Sequence, residues 1–303
     1  MMKSVLTKTS RTRRYAICVG LVGLIVGCAV VSASGSPQKK SPGTLAKVQE
    51  AGVLNVGFAN EAPYAYTTNK GKLTGEAPAL LAAVFKQYGV NKIHGVLTQF
   101  NSLIPAINAK RFDVIGAGMY IHPERCAQVA FGNPDFEVKE ALVVAKGNPK
   151  NIHSYADIKT SGAQLGVVTA GSEVTIAEAA GIPSSQIQLF PDDPSTIAAL
   201  RGGRVDAVGL SSLAVNQFVK SQSGIEVAKP FVEPRDSNGK PYRGYGAMGF
   251  RKSDNDLRLA YNKGLAKLRA KGTQLKIMEK FGFTQADLPR KGLTAAMICK
   301  GKV

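Results

Sequence analysis

A chain of 303 residues with 44% hydrophobic side chains is long enough to bury one or two cores, which excludes a disordered protein. Lys and Arg outnumber Asp and Glu by 39 to 21, but the basic residues are scattered and not interleaved with aromatics, so the formal charge of +18 does not outline a nucleic-acid surface. Subtracting the five leader positives Lys3, Lys8, Arg11, Arg13 and Arg14 from +18 leaves +13, which suits a solvated basic surface drawn to anionic lipid or cell-wall polymer.

Those five residues precede an uncharged run from Tyr15 to Val31. The run is shorter than the roughly 20 residues a spanning helix needs, and the pattern is that of a secretory signal peptide. Ile25-Val26-Gly27-Cys28 resembles a bacterial lipobox, which sets the leader at 1–27 and makes Cys28 the lipidated first residue. Cleavage after Val31-Ser32-Ala33 is the alternative. Residues 28–44 end in the small, polar, proline-bearing stretch SASGSPQKKSPGT, a flexible tether, and folding is expected to begin near Leu45. With Cys18 lost and Cys28 lipidated, Cys126 and Cys299 remain in an oxidising compartment and are expected to pair; two free buried thiols are the alternative.

From Leu45 onward strands and helices alternate. VLNVGF (53–58) reads as a strand, ALLAAVFKQY (79–88) as a helix with Leu80, Leu81, Val84, Phe85 and Tyr88 on one face, and KIHGVLT (92–98) as a strand. A helix over 102–110 and the strand DVIGAG (113–118) follow. After FEVKEALVVA (136–145), a second set begins: strand 164–169, a helix from Ser172, strand 186–190, a helix capped by Asp193 with Pro194 at its first position, strand 205–209 and a helix from Ser212. The prolines and glycines of EVAKPFVEPRDSNGKPYRG mark a long loop, ahead of a strand over 244–250 and helices over 254–271 and 273–281. This order predicts an α/β fold, each sheet mostly parallel and flanked by helices.

One internal echo supports two similar halves. IPAINAKRFDVIG (104–116) aligns without gaps to IAALRGGRVDAVG (197–209), sharing Arg-x-Asp-x-x-Gly. The expected organisation is a first lobe over 45–139, a second over 140–243, and a return to the first, with a C-terminal tail, over 244–303. The segments 136–145 and 244–250 are the crossings.

These elements, with LNVGFANEAPYAY (54–66), GKLTGEAPALLAAV (71–84), FNSLIPAINAKRFDVIGAGMYIHPERCAQVAF (100–131), GVVTAGS (166–172) and LRGGRVDAV (200–208), resemble the extracytoplasmic solute-binding proteins of polar amino acid ABC importers. The resemblance implies the two-lobed periplasmic-binding-protein fold, closing on a small zwitterion, with a membrane permease as partner, a monomeric state, an exported location, no cofactor and no catalysis. It further implies that Arg125 grips the ligand carboxylate, a pairing in which a guanidinium fork offers paired donors. Gly118 belongs to the same set, as do Gly171 and Ser172, where a helix begins whose free N–H groups favour an anion. Where relatives carry an aspartate for an α-ammonium group this chain has Ser211, a poorer acceptor.

NEAPYAY and the Arg-Cys pair look closest to the ectoine and hydroxyectoine binding branch. That likeness implies an acidic aromatic cage of Glu61, Tyr64, Phe100 and Tyr120 around a cyclic amidinium. An amino acid ligand, or an exported cyclic-acid dehydratase on the same fold, are the alternatives. His94, His122 and His153 have neither metal-ligand spacing nor a nucleophile partner, and no metal is expected.

Overall fold

The computed structural model describes residues 43–236 and 238–302. The leader and Cys28 lie outside these, as does all but the end of the tether. Folding begins one residue early: the helix Thr44–Ala51 is pinned by Thr44 Oγ1 to Asp254 (2.9 Å) and by the Leu45 amide to Asp256 (2.9 Å).

Two five-stranded sheets form the lobes. The first runs Lys92–Leu97, Val53–Phe58, Val114–Ile115, Gly249–Phe250, Ala130–Phe131; its first three strands are parallel and Gly249–Phe250 is antiparallel to both neighbours. The second runs Ile187–Phe190, Leu165–Val168, Ala207–Ser211, Glu140–Ala145, Ile225–Val227, again with three parallel strands followed by antiparallel ones. The strands Leu165–Val168 and Ala207–Ser211 are buried along their whole length, as expected where helices cover both faces of a parallel sheet. On the helix Glu76–Phe85, Leu80, Leu81, Val84 and Phe85 are fully buried, and Tyr88 follows in a 3-10 turn.

The sequence echo has a structural cause. Asp113 accepts a bond from the Asn55 amide (3.0 Å) and donates its own N–H to the Asn55 carbonyl (2.9 Å). Asp206 repeats this with Gln164, at 2.8 Å in both directions. In each lobe the aspartate thus locks the start of the third parallel strand to the start of the first.

The crossings differ in detail from their sequence reading. Residues 136–145 form two strands, Phe136–Val138 and Glu140–Ala145, broken at Lys139; likewise 244–250 divides into Gly244–Gly246 and Gly249–Phe250. The short pieces Phe136–Val138 and Gly244–Gly246 pair antiparallel as the connection between lobes, while the others join the two sheets. A strand passing between sheets must leave one ladder before entering the next, and that break has no signature in an apolar run.

Asp192, not Asp193, caps the helix Asp193–Arg201, accepting from the Ser195 amide at 2.8 Å, so Pro194 is its second residue. The helix Tyr155–Ser161, begun by Ser154 and ended by Gly162, and the terminal helix Ala295–Cys299 were not read from the sequence. Among the described residues no helix is long and apolar enough to cross a membrane.

Candidate ligand-binding site

The carboxyl ends of the parallel strands in both sheets point at one cleft, the position where open α/β sheets present ligand sites. Its enclosed volume is about 40 Å³, so the two walls stand close together and must part to admit a ligand. Glu61, Tyr64, Phe100, Gly118, Tyr120 and Arg125 line it from the first lobe, and Gly171, Ser172 and Ser211 from the second. All nine sequence-selected residues therefore meet in one place. Five more share the lining: Val168, Glu173, Asp193, Leu210 and Ala214.

The first-lobe wall is built by a tight loop and two strand ends. Glu61 and Ala65 exchange backbone bonds (2.9 and 3.0 Å) around Ala62-Pro63, turning Tyr64 inward, where its ring stacks on Phe136 at 4.9 Å. Such a pair contributes about 0.5–1.5 kcal/mol beyond its burial. Gly118 adopts φ +65°, and a Cβ there would lie 2.4 Å from the Tyr64 ring. Tyr120 packs as closely on Gly244 of the crossing, so the cage rests on the connection between lobes.

Arg125 sits in the four-residue helix Pro123–Cys126 and lies over the Phe100 ring at 5.3 Å. One terminal nitrogen donates to the Tyr120 carbonyl (2.8 Å) and the other to the Ala170 carbonyl (2.8 Å), the second bond spanning the lobes. Each of these nitrogens carries a further N–H, so the fork is aligned while keeping donors for a carboxylate. Burial lowers the guanidinium from its ordinary value, opposed first by Glu173. The adjacent Cys126 is bonded to Cys299 (Cα–Cα 5.9 Å), as expected from the cysteine count, so the tail braces the helix that carries Arg125.

The second-lobe wall corrects one expectation. The helix begins at Ser172 as expected and runs to Ala179, with Gly171 as its N-cap. The free helix end is not simply vacant for an anion: a Cβ at Gly171 would lie 2.7 Å from a Glu173 carboxylate oxygen, so the protein's own acid curls over it. Ser172 instead meets His122 across the cleft, Oγ to Nε2 at 2.8 Å. Burial, helped by Arg125 and opposed by Glu124, pushes that imidazole down to about 4.

Ser211 is also spoken for. Its Oγ accepts from the Ala214 amide (3.2 Å), capping the helix Ser212–Ser221, and from the Tyr64 hydroxyl (2.7 Å) across the cleft.

The electrostatics were not legible in advance. Three carboxyl groups, Glu61, Glu173 and Asp193, line the cleft with one guanidinium. Burial raises all three from their ordinary values; Asp193 adds to the rise at Glu61, and Glu173 to that at Asp193. Behind them the buried Glu140, first residue after the crossing, is raised by burial and by Glu173. A cationic group entering this cleft meets an excess of acceptors. Of the two missed acids, Glu173 had a weak signal, lying one residue past Ser172; Asp193 had one in the doublet Asp192-Asp193, since one helix start takes a single cap.

Comparison with known proteins agrees with this geometry. The profile of the bacterial extracellular solute-binding proteins, family 3, matches residues 54–285. A probable amino-acid ABC transporter periplasmic-binding protein, y4tE of Sinorhizobium fredii (strain NBRC 101917 / NGR234), is 34% identical over 228 residues, covering 75% of each chain. The lysine/arginine/ornithine-binding periplasmic protein of Escherichia coli (strain K12) is 29% identical over 223 residues, 73% of this chain and 83% of that one. The crystal structure of EhuB in complex with hydroxyectoine superimposes with a TM-score of 0.76 at 32% identity, covering 84% of this chain and 97% of that one. With the profile spanning most of the chain and the two-lobed fold shared, this protein belongs to the family 3 bacterial extracellular solute-binding proteins.

Proposed function

We propose that the chain is the substrate-binding component of an ABC importer and captures a compact zwitterion of the ectoine type. The carboxylate sits on the Arg125 fork, and the delocalised ring cation lies among Tyr64, Phe100 and Tyr120 with Glu61 accepting its N–H groups. The observation that carries this reading is that three rings and one guanidinium line a single interlobe cleft together with Glu61 and two further acids. Ligand contacts with both lobes favour the closed form, which docks on a membrane permease. Lipidation at Cys28 would hold the protein at the outer face of the membrane.

The acid excess favours a second reading, an amino acid with a cationic side chain, in line with the lysine/arginine/ornithine-binding relative. Calorimetric titration with ectoine, hydroxyectoine, L-arginine and L-glutamine separates the two. Heat with either ectoine at submillimolar concentration supports the first; binding of L-arginine alone replaces it with the second.

The His122–Ser172 contact makes closure pH-sensitive in a defined direction. Opening the cleft returns the ring to water and to its ordinary value near 6.5. A group depressed in the closed form contributes fully above 6.5 and loses that contribution as pH falls toward 4. The cleft acids shift the opposite way, so the comparison is made against His122→Gln, which leaves them in place. Between pH 7 and pH 5 the wild-type affinity is expected to drop about 10-fold relative to that variant, measured by calorimetry. A constant ratio would remove His122 from the pH response.

A further inference from the structure

The cationic end of a ligand needs an acceptor from the second lobe if it is to hold the lobes together, and Ser211 cannot be that acceptor here. A hydroxyl oxygen has two lone pairs. Those of Ser211 are taken by the Ala214 amide and the Tyr64 hydroxyl. Glu173 is drawn to its own helix start beside Gly171 and is the leading acidic neighbour of Arg125, placing it at the carboxylate end of the cleft.

Asp193 is left. It is 4% exposed and lines the cleft, yet among the described residues no hydrogen bond or ion pair engages its carboxylate. Its neighbour Asp192 has taken over the capping of the helix, and the Thr196 hydroxyl bonds the Asp193 carbonyl, not its side chain. A largely enclosed carboxylate that faces the cleft is free to take a donor there. Across the cleft stands Glu61, whose largest charged perturbation is Asp193.

We infer that Asp193 is the second-lobe acceptor for the ligand's cationic end, facing Glu61 of the first lobe, so that the like-charged pair resists closure until a cation lies between them. The inference rests on reading the cleft as a site for a ligand with a cationic end. It narrows the ligand class to cations with N–H donors on opposite sides, a geometry that a cyclic amidinium and a guanidinium both have and a quaternary ammonium lacks. It also assigns Asp193 two opposite effects, since it attracts the loaded ligand and repels Glu61 in the empty protein.

The test uses wild type, Asp193→Asn and Asp192→Asn, the last removing a neighbouring charge while keeping a good helix cap. Calorimetry with ectoine, hydroxyectoine and L-arginine reads affinity, and small-angle X-ray scattering of the empty proteins at pH 7 reads closure. For whichever of these ligands the wild type binds, Asp193→Asn is expected to weaken affinity at least ~30-fold and Asp192→Asn less than ~3-fold. The empty Asp193→Asn protein is expected to have a smaller radius of gyration than the wild type. Equal losses in both variants, or unchanged affinity in Asp193→Asn, overturn the inference. If the wild type binds none of the three, a contracted empty Asp193→Asn protein sustains the acid pair and refutes the ligand reading, while an unchanged one refutes both.

Discussion

Arg125→Ala is expected to weaken zwitterion binding by a factor of about 30 to several thousand, the 2–5 kcal/mol typical of removing one partner from a buried, hydrogen-bonded charge pair. Three losses coincide at this position. The ligand carboxylate loses its fork, the Tyr120 and Ala170 carbonyls lose a donor each at 2.8 Å, and one of the bonds lost is an interlobe contact. The cleft is also left with its acids and no cation, which disfavours any carboxylate-bearing ligand. Arg125→Lys keeps the charge but not the planar fork, so its affinity should fall between the two. Calorimetry measures both, and an Arg125→Ala protein that binds like the wild type would refute the clamp.

Gly118→Ala is the second large effect, and it works through packing. At φ +65° a Cβ costs roughly 1–2 kcal/mol by itself. The added methyl would also lie 2.4 Å from the Tyr64 ring. That ring cannot retreat freely, because Phe136 stacks on it at 4.9 Å and Phe283 meets it edge-on at 6.0 Å. Relief requires Tyr64 to swing away from Ser211, opening the cage and breaking a contact between lobes. We expect a destabilisation of about 2–4 kcal/mol in denaturant unfolding, and a ligand affinity reduced at least ~10-fold. Gly203→Ala supplies the control, with φ +68° and open space around the new methyl. It should show the backbone cost of about 1 kcal/mol and no change in binding. Equal behaviour of the two variants would mean that the Tyr64 contact is unimportant.

Both expectations depend on residues that the sequence made visible for different reasons. Arg125 stands out because the motif around it resembles the one in which the family's arginine grips a ligand carboxylate. Gly118 stands out only through the motif around it; its role against Tyr64 depends on a contact between positions 54 residues apart in the chain. The two-lobe organisation was readable because each lobe repeats one short pattern, and Asp113 and Asp206 show why, each tying two parallel strands through the same pair of bonds, one to its carboxylate and one from its amide. Ser211 was readable as a departure from its relatives but not in its actual use, since a serine that caps a helix and one that binds a ligand look alike until their partners are known.

The amino-acid sequence alone pointed to the α/β alternation, the twin lobes and the cysteine pair, while the nine positions around the cleft came from the family resemblance its motifs carry. It could do so because periodicity, turn chemistry and short motifs are local properties of the chain. The tertiary structure decided the charge balance of the cleft and the contacts that close it: Glu173 folded over Gly171, Asp193 left without a side-chain partner among the described residues, and Tyr64 to Ser211 and His122 to Ser172 across the gap. These depend on which side chains two separate sheets bring face to face. Burial then raises the carboxyl groups and lowers the imidazole, changes that no single segment specifies.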